Sequence, residues 1–441
     1  MFQDKILALS DFAFEPDSPG FIKAHSRLLQ WYLFGMSGWW SSNAIFSQLP
    51  IFVSRLPAGE RLGNQLSTTL QLGNAFLITY KVLEKLGFHF DVRKVINAMM
   101  LVACASLIAS VFLWDKILAG MSVPLLIVMG FAGAVGCMSN SIYWAFMISH
   151  PARCTKAASV GMCLSGVVTS MMQALQMAGR GDSEPRFSVG VYLAMAAALQ
   201  MVWGLVVLNV ESARRRRKYS AVRDPWHGQL STAAVDLLNC DSGSFKPQVS
   251  GSDYCEERRP RINSDGLSDG WPDDLQVRIL NGLDFLLHAG EYTMPTLLPF
   301  IAASYTKAEE QELLVRMMVV QQWGETLGRL VSPDLSSRHY YLITGLCAVS
   351  MPSIFVLSLA AALRPQVLAS TLPFVVATWA LPAINFWFNL CYGLLQNVLF
   401  LIARHLTESV AVAERLASTM GFVGQMGSLS ANLIACWIVN A

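Results

Sequence analysis

Apolar residues run along this chain in long blocks, each broken by polar positions at helical spacing. The blocks fall near residues 29–53, 63–84, 95–114, 119–149, 157–178 and 187–210, then 277–303, 311–332, 340–362, 367–402 and 410–438. Each is far longer than a strand and close to or beyond the roughly 20 residues that a helix needs to cross a bilayer. The pattern therefore predicts an all-α polytopic membrane protein with eleven transmembrane helices. The longest segments have room to tilt, kink or project past the lipid.

Composition agrees with that class. The 441 residues are 54% hydrophobic and 14% charged, whereas a soluble domain carries about 25% charged residues. The net charge of +2 points to no nucleic-acid partner; the bilayer is the expected surrounding. Nine cysteines show neither a C-x-x-C motif nor Cys/His ligand spacing, so no metal, no cofactor and no disulfide framework is expected. Residues 1–26 hold Asp4, Asp11, Glu15 and Asp17 without an apolar h-region. That is neither a cleaved signal nor a transit peptide.

Four units are expected: a cytosolic segment 1–27, a six-helix bundle 28–210, a flexible cytosolic loop 211–275, and a five-helix bundle 276–441. The loop opens on the basic run Arg214–Lys218 and continues through Ser, Gly, Asp and Pro with few aliphatics, the composition of a disordered linker. A basic run directly after a spanning helix anchors the cytosolic side. The N-terminus is then cytosolic and the C-terminus extracellular. Counted together with that run, the Lys and Arg near the segment ends, Arg329 and Arg404 among the inside ones, favour the inside by about two to one.

The halves carry weak internal similarity. "QLPIFVS" in the first segment answers "LLPFIAAS" in the seventh, "LQLGNAF" in the second answers "VQQWGET" in the eighth, and "CLSGVV" in the fifth answers "GSLSAN" in the eleventh. Three matches in the same order imply parallel repeats related by an axis along the membrane normal. That is a major-facilitator-like plan, six helices plus five.

Polar side chains at membrane depth normally face a cavity or another helix. Asn43, Ser47 and Pro50 share one face of the first segment, and Gln48 lies beside them. Gln71 and Asn74 are three apart in the second. Asn140, Tyr143 and Met147 form a stripe in the fourth, with Trp144 alongside; the seventh has Asp284, His288 and Glu291, and the tenth has Asn385, Asn389, Tyr392 and Gln396. The richest stripes fall on segments one, four, seven and ten, the first of each three-helix unit. A shared hydrated vestibule is one explanation; hydrogen bonding between neighbouring helices is the other. Trp39 and Trp40 lie mid-segment, which leaves both a lining role and an interfacial anchor open. Amides match a pyrimidine-like edge or sugar hydroxyls, and Phe46, Tyr143, Trp144, Trp387 and Tyr392 offer stacking faces. A neutral flat heteroaromatic bearing hydroxyls fits such a lining.

Several stretches resemble the animal-type riboflavin transporter family. They are "NAIFSQLPIFVSRLPAGERL" (43–62), "LQLGNAF" (70–76), "CMSNSIYWAFMISHPARCTKAASVGMCLSG" (137–166) and "GQMGSLSA" (424–431). The resemblance implies carrier-mediated uptake of riboflavin without a nucleotide-driven motor. It carries Asn43, Phe46, Gln71, Asn74 and Asn140 over as pocket residues. The chain departs from the family pattern at Gln48, where the pattern has a carboxylate, and at Met162, where it has Glu. Glu291, beside His288, is either the protonatable group that takes their place or a residue that pairs with a neighbouring helix.

The expected function is facilitative uptake by alternating access at the plasma membrane, with substrate contacts from Asn43, Phe46, Gln48, Gln71, Asn74, Asn140, Tyr143, Trp144, Glu291, Asn389 and Tyr392. An equilibrative nucleoside transporter shares the helix count and the central loop. A membrane-embedded transferase using His288, or a surface receptor, is the remaining alternative. No H-E-x-x-H or Walker signature marks an enzyme.

Overall fold

The computed structural model describes residues 19–59, 61–88, 90–148, 150, 152–178, 185–223, 274–305, 310–332, 345–354, 379–407 and 410–440. All named elements within them are helices. The first half comprises α1 (Pro19–Ser47), α2 (Leu49–Arg55), α3 (Arg61–Leu72), α4 (Asn74–Lys85), α5 (Val92–Leu113), α6 (Val123–Ile148), α7 (Ala152–Met177) and α8 (Val189–Arg223). The second half comprises α9 (Asp274–Tyr305), α10 (Glu310–Val331), a short α11 (Gly345–Ile354), α12 (Ala380–His405) and α13 (Val410–Asn440). Among the described residues, five helices are long and apolar enough to cross a membrane: those over Val92–Leu113, Val123–Ile148, Arg153–Met177, Val189–Val206 and Ala380–Arg404.

Two predicted segments are broken, each for a local reason. The first divides at Gln48, where Pro50 sits in the first turn of α2, a position at which its missing N–H costs no helical hydrogen bond. The second divides at Gly73. A Cβ there would lie 2.4 Å from the backbone nitrogen of Ala134, so only glycine lets α3 and α4 lie against α6. Gly87, at φ +90°, turns the chain after α4, and the Asp91 carboxylate then caps α5 by accepting from the Arg93 amide at 3.0 Å. The sixth segment is longer than expected. Its helix carries on through the basic run to Arg223, in keeping with the high helix propensity of Ala, Arg and Lys. The rest of the predicted loop, and most of the predicted ninth segment, lie outside the described residues.

The packing repeats itself. α1 lies along α7 and α3 along α6; α9 lies along α13 and α10 along α12. These are the same two pairings displaced by six predicted segments, as parallel repeats require. Between the halves, α7 packs on α10 and α13 packs on α6 and α3. One buried apolar cluster fills the first half around Trp40, Phe52, Leu66 and Tyr192. A second spans both halves, from Phe34, Tyr143 and Trp144 to Phe388, Tyr392 and Phe400.

Candidate functional site at the seam of the two halves

The polar side chains expected to line a site in the first half are each bonded to a protein partner. Asn43 donates its amide to Ser165 Oγ at 2.8 Å, tying α1 to α7. The Trp39 indole donates to Asn140 Oδ1 at 3.2 Å, tying α1 to α6. Gly136 makes room for it, since a Cβ there would lie 2.9 Å from the Trp39 ring. Gln48 donates to Gln176 Oε1 at 3.0 Å, and Asn74 donates to Gln71 Oε1 at 2.8 Å within the bend of the second segment. Tyr143 is turned into the first half, its hydroxyl 3.1 Å from Ser37 Oγ and its ring stacked on Phe34 at 4.6 Å. Phe46 is half-buried against the first-half core. Trp40 donates to the Ala196 carbonyl at 2.9 Å, so both tryptophans are held by protein partners.

In the second half, α9 presents Asp284, His288 and Glu291 down one face. The Tyr392 hydroxyl donates to Glu291 Oε2 at 2.5 Å. Gln396 Nε2 lies 3.0 Å from His288 Nε2, and His288 Nδ1 lies 2.9 Å from the Asp284 carbonyl. A ring protonated at Nδ1 satisfies both contacts: it accepts from the amide and donates to the carbonyl. Asn389 bonds within its own helix, donating to the Asn385 carbonyl at 2.7 Å, while Asn385 donates to the Met317 carbonyl of α10 at 3.0 Å.

The amides expected to share one vestibule are therefore each satisfied in a different place. Asn43 lies between α1 and α7, Asn140 between α1 and α6, and Asn389 on α12. A buried amide without a partner would cost about 1–3 kcal/mol, which accounts for the pairing. Two groups do approach the seam from both sides. Asn140 lies where α13 touches α6, because a Cβ on Gly421 would sit 2.1 Å from the Asn140 carbonyl oxygen. From the second half, Glu291 is held by Tyr392, a member of the buried cluster that spans both halves. Trp144 reaches the seam as well, stacking on Phe400 of α12.

The sequence reading misses one charged cluster. It assigns Arg329 to the flank of a helix, whereas the structure buries it at 4% exposure beside Glu325. Arg329 donates to Glu325 Oε1 at 2.7 Å, to Gln396 Oε1, and across the seam to the Ser159 carbonyl and hydroxyl at 3.2 and 3.3 Å. Cys163 donates its thiol to Glu325 Oε1 at 3.0 Å. The available signal is the i, i+4 spacing of Glu325 and Arg329 on a helix, which pairs opposite charges on one face. No group of three or more His, Cys, Asp or Glu able to hold a metal occurs among the described residues.

Comparison with known proteins bears on what such a seam serves. Residues 25–211 match the model of solute carrier family 52, riboflavin transporter. The riboflavin transporter rft-2 of Caenorhabditis elegans is 30% identical over 176 residues, 36% of this chain and 37% of that protein. The human riboflavin transporter, member 2 of solute carrier family 52, is 27% identical over 192 residues, 41% of this chain and 43% of that protein. The chain thus matches less than half the length of these curated relatives, at 27–30% identity. In fold it resembles the proton:xylose symporter XylE, at a TM-score of 0.55 and 11% identity over 93% of this chain and 87% of the other. It also resembles the human organic anion transporter MFSD10, at 0.52 and 12% identity over 93% of both chains. The fold is major-facilitator-like. With its apolar helices, the chain is a multi-pass membrane protein. The named relatives are transporters, in line with the expectation that it is not an enzyme.

Proposed function

We propose that this multi-pass chain, a distant relative of the riboflavin transporters, is a membrane carrier for riboflavin or a closely related flat heteroaromatic bearing hydroxyls. It works without a nucleotide-driven motor, by rocking a six-helix set (28–210) against a five-helix set (276–441) around a central site. Eleven spanning helices, a cytosolic N-terminus, a cytosolic 211–275 loop, an extracellular C-terminus and the plasma membrane complete the scheme. The observation that carries it is the match of residues 25–211 to the riboflavin transporter family within a major-facilitator fold.

The substrate contacts are drawn from Asn43, Phe46, Gln48, Gln71, Asn74, Asn140, Tyr143, Trp144, Glu291, Asn389 and Tyr392. Within that set the geometry favours Asn140 from the first half and the Glu291–Tyr392 pair from the second. Asn140 uses its oxygen on Trp39, leaving amide hydrogens for a pyrimidine-type carbonyl. Glu291 and Tyr392 offer an acceptor for ribityl-type hydroxyls and an aromatic face.

The test is uptake of labelled riboflavin in cells expressing the chain. Wild type takes it up, excess uridine leaves the rate unchanged, and Asn140→Ala abolishes uptake at unchanged surface expression. Absence of wild-type uptake removes riboflavin as the substrate. Full uptake by Asn140→Ala removes that residue from the site.

A further inference from the structure

Resting on the carrier reading above, we propose that the Glu325–Arg329 pair is the latch that holds the two halves shut along α7 and α10, with Arg329 as its positioning residue and Gln396 tying it to the central site.

Both members of the pair reach the opposite half. The Arg329 guanidinium donates to the Ser159 carbonyl and hydroxyl on α7, and the Glu325 carboxylate accepts the Cys163 thiol one turn further along the same helix. The same end of the molecule is closed by two more cations directed at backbone oxygens of the other half. Lys156 Nζ donates to the Ser332 carbonyl at 3.1 Å, and Arg404 donates to the His150 carbonyl at 2.9 Å. In the proposed topology this is the cytosolic end.

A buried ion pair is a poor device for stability alone, since apolar residues of similar volume hold a core as well or better. The arrangement does suit a contact that must open. The two charges lie at i, i+4 on α10, 2.7 Å apart, so they stay paired to each other when the halves separate. What opening breaks is only the bonds to neutral partners, Ser159 and Cys163, whose groups water can satisfy in turn. Neither charge is left alone at any stage, which is the expensive case.

The latch is also joined to the proposed site by continuous contacts. Arg329 donates to Gln396, Gln396 meets His288, the His288 ring stands edge-on to Tyr392 at 5.9 Å, and Tyr392 donates to Glu291. A substrate that draws Tyr392 or Glu291 toward itself therefore shifts the acceptor that orients Arg329.

Cys163 is a built-in reporter. It is buried at 3% exposure while the seam is closed and reaches solvent when α7 and α10 part. The purified full chain in detergent is treated with N-ethylmaleimide, and alkylation of Cys163 is followed by peptide mass spectrometry without added substrate. Arg329→Gln is expected to raise the rate about tenfold, the shift of a two-state opening that loses one charge-assisted contact. Riboflavin, used as the probe, is expected to change the wild-type rate and to leave that of Gln396→Leu unchanged. A wild-type rate in a monodisperse Arg329→Gln protein overturns the latch, and an equal riboflavin response in Gln396→Leu overturns the link to the site.

A second arm applies should Arg329→Gln not fold. A Cβ at Gly166 would lie 2.9 Å from Gln322 Cγ across the same seam, so Gly166→Cys with Gln322→Cys brings two thiols together. Oxidation is expected to suppress Cys163 alkylation and reduction to restore it; equal rates in the two forms overturn the proposal. Neither arm requires transport. If wild type takes up no riboflavin while Arg329→Gln still exposes Cys163, the substrate assignment falls and the latch stands.

Discussion

The indole of Trp144 and the phenyl ring of Phe400 lie face to face, centroids 3.8 Å apart and planes 4° from parallel. Trp144 belongs to α6 in the first half and Phe400 to α12 in the second. Trp144 is one of the largest fully buried side chains of the molecule, so the two halves meet here through a dry aromatic contact. The sequence reading gives Trp144 a face for stacking on substrate; in this conformation Phe400 occupies that face.

The stack should be measurable as coupling. Truncating a buried aromatic to alanine costs about 3–5 kcal/mol, and the ring pair itself contributes about 0.5–1.5 kcal/mol beyond burial. Trp144→Ala and Phe400→Ala should each lower the thermal midpoint of the purified protein, and the double variant should be less destabilised than the sum. A double-mutant cycle read by denaturation in detergent checks this; strict additivity would show the rings to be independent.

Helix proximity at glycine makes a second, paired prediction. A Cβ at Gly421 would lie 2.1 Å from the Asn140 carbonyl oxygen and 2.7 Å from its carbon, both rigid backbone. Gly421→Val must push α13 away from α6, with loss of monodisperse protein. A Cβ at Gly204 on α8 would meet nothing within 4 Å among the described residues. Gly204→Ala should leave folding intact or raise stability by up to about 1 kcal/mol, the helix-propensity difference. Size-exclusion profiles and thermal melts of the two variants decide it, and equal tolerance at both positions would contradict the packing.

These contacts mark where sequence is informative and where it stops. Long apolar segments declare themselves because the bilayer demands length and composition, and the pairing of α1 with α7 and of α9 with α13 follows the internal repeat already visible in the chain. Which neighbour a polar residue meets is not written in one helix. Asn140 and Tyr143 are three apart and count as one stripe, yet three residues turn a helix by about 300°, leaving a 60° offset. That offset sends Tyr143 to Ser37 and Phe34 while Asn140 meets Trp39. Arg329 reads as a flanking charge because it stands in the last turn of α10; its burial depends on Ser159 and Gln396, far away in sequence. The break at Gln48 coincides with Pro50, yet α9 runs on through Pro295 and Pro299, so proline alone does not mark a break; the one at Gly73 depends on how closely α6 approaches.

The departure from the family pattern at Gln48 has a structural counterpart in Gln176. Gln48 donates to Gln176 Oε1, and Gln176 passes its own amide hydrogens to the Phe187 carbonyl at 2.9 Å. The two amides thus point in a fixed order. Gln48→Glu would face an acceptor with an acceptor in a fully buried position. It should destabilise by about 1–3 kcal/mol, the penalty of a buried polar group that loses its partner, and by more than Gln48→Met, which removes the polar group altogether. Thermal melts of the two variants test the order. Greater stability of Gln48→Glu would mean that Gln176 turns over to donate, and that the site accepts a carboxylate as readily as an amide.

The Trp39–Asn140 bond offers the finest probe of the proposed site. Trp39 holds the Asn140 oxygen at 3.2 Å, which fixes the amide and leaves its hydrogens directed elsewhere. Trp39→Phe keeps an aromatic ring in the space lined by Gly136 but removes the donor. If Asn140 contacts the substrate, loss of this orientation should raise KM for riboflavin uptake about tenfold, the scale of one misdirected hydrogen bond. The maximal rate and surface expression should change much less, since neither the halves nor their seam is altered. An unchanged KM in Trp39→Phe, together with normal uptake by Asn140→Ala, would move the recognition of the pyrimidine edge away from α6 and toward Glu291 and Tyr392 on the other half.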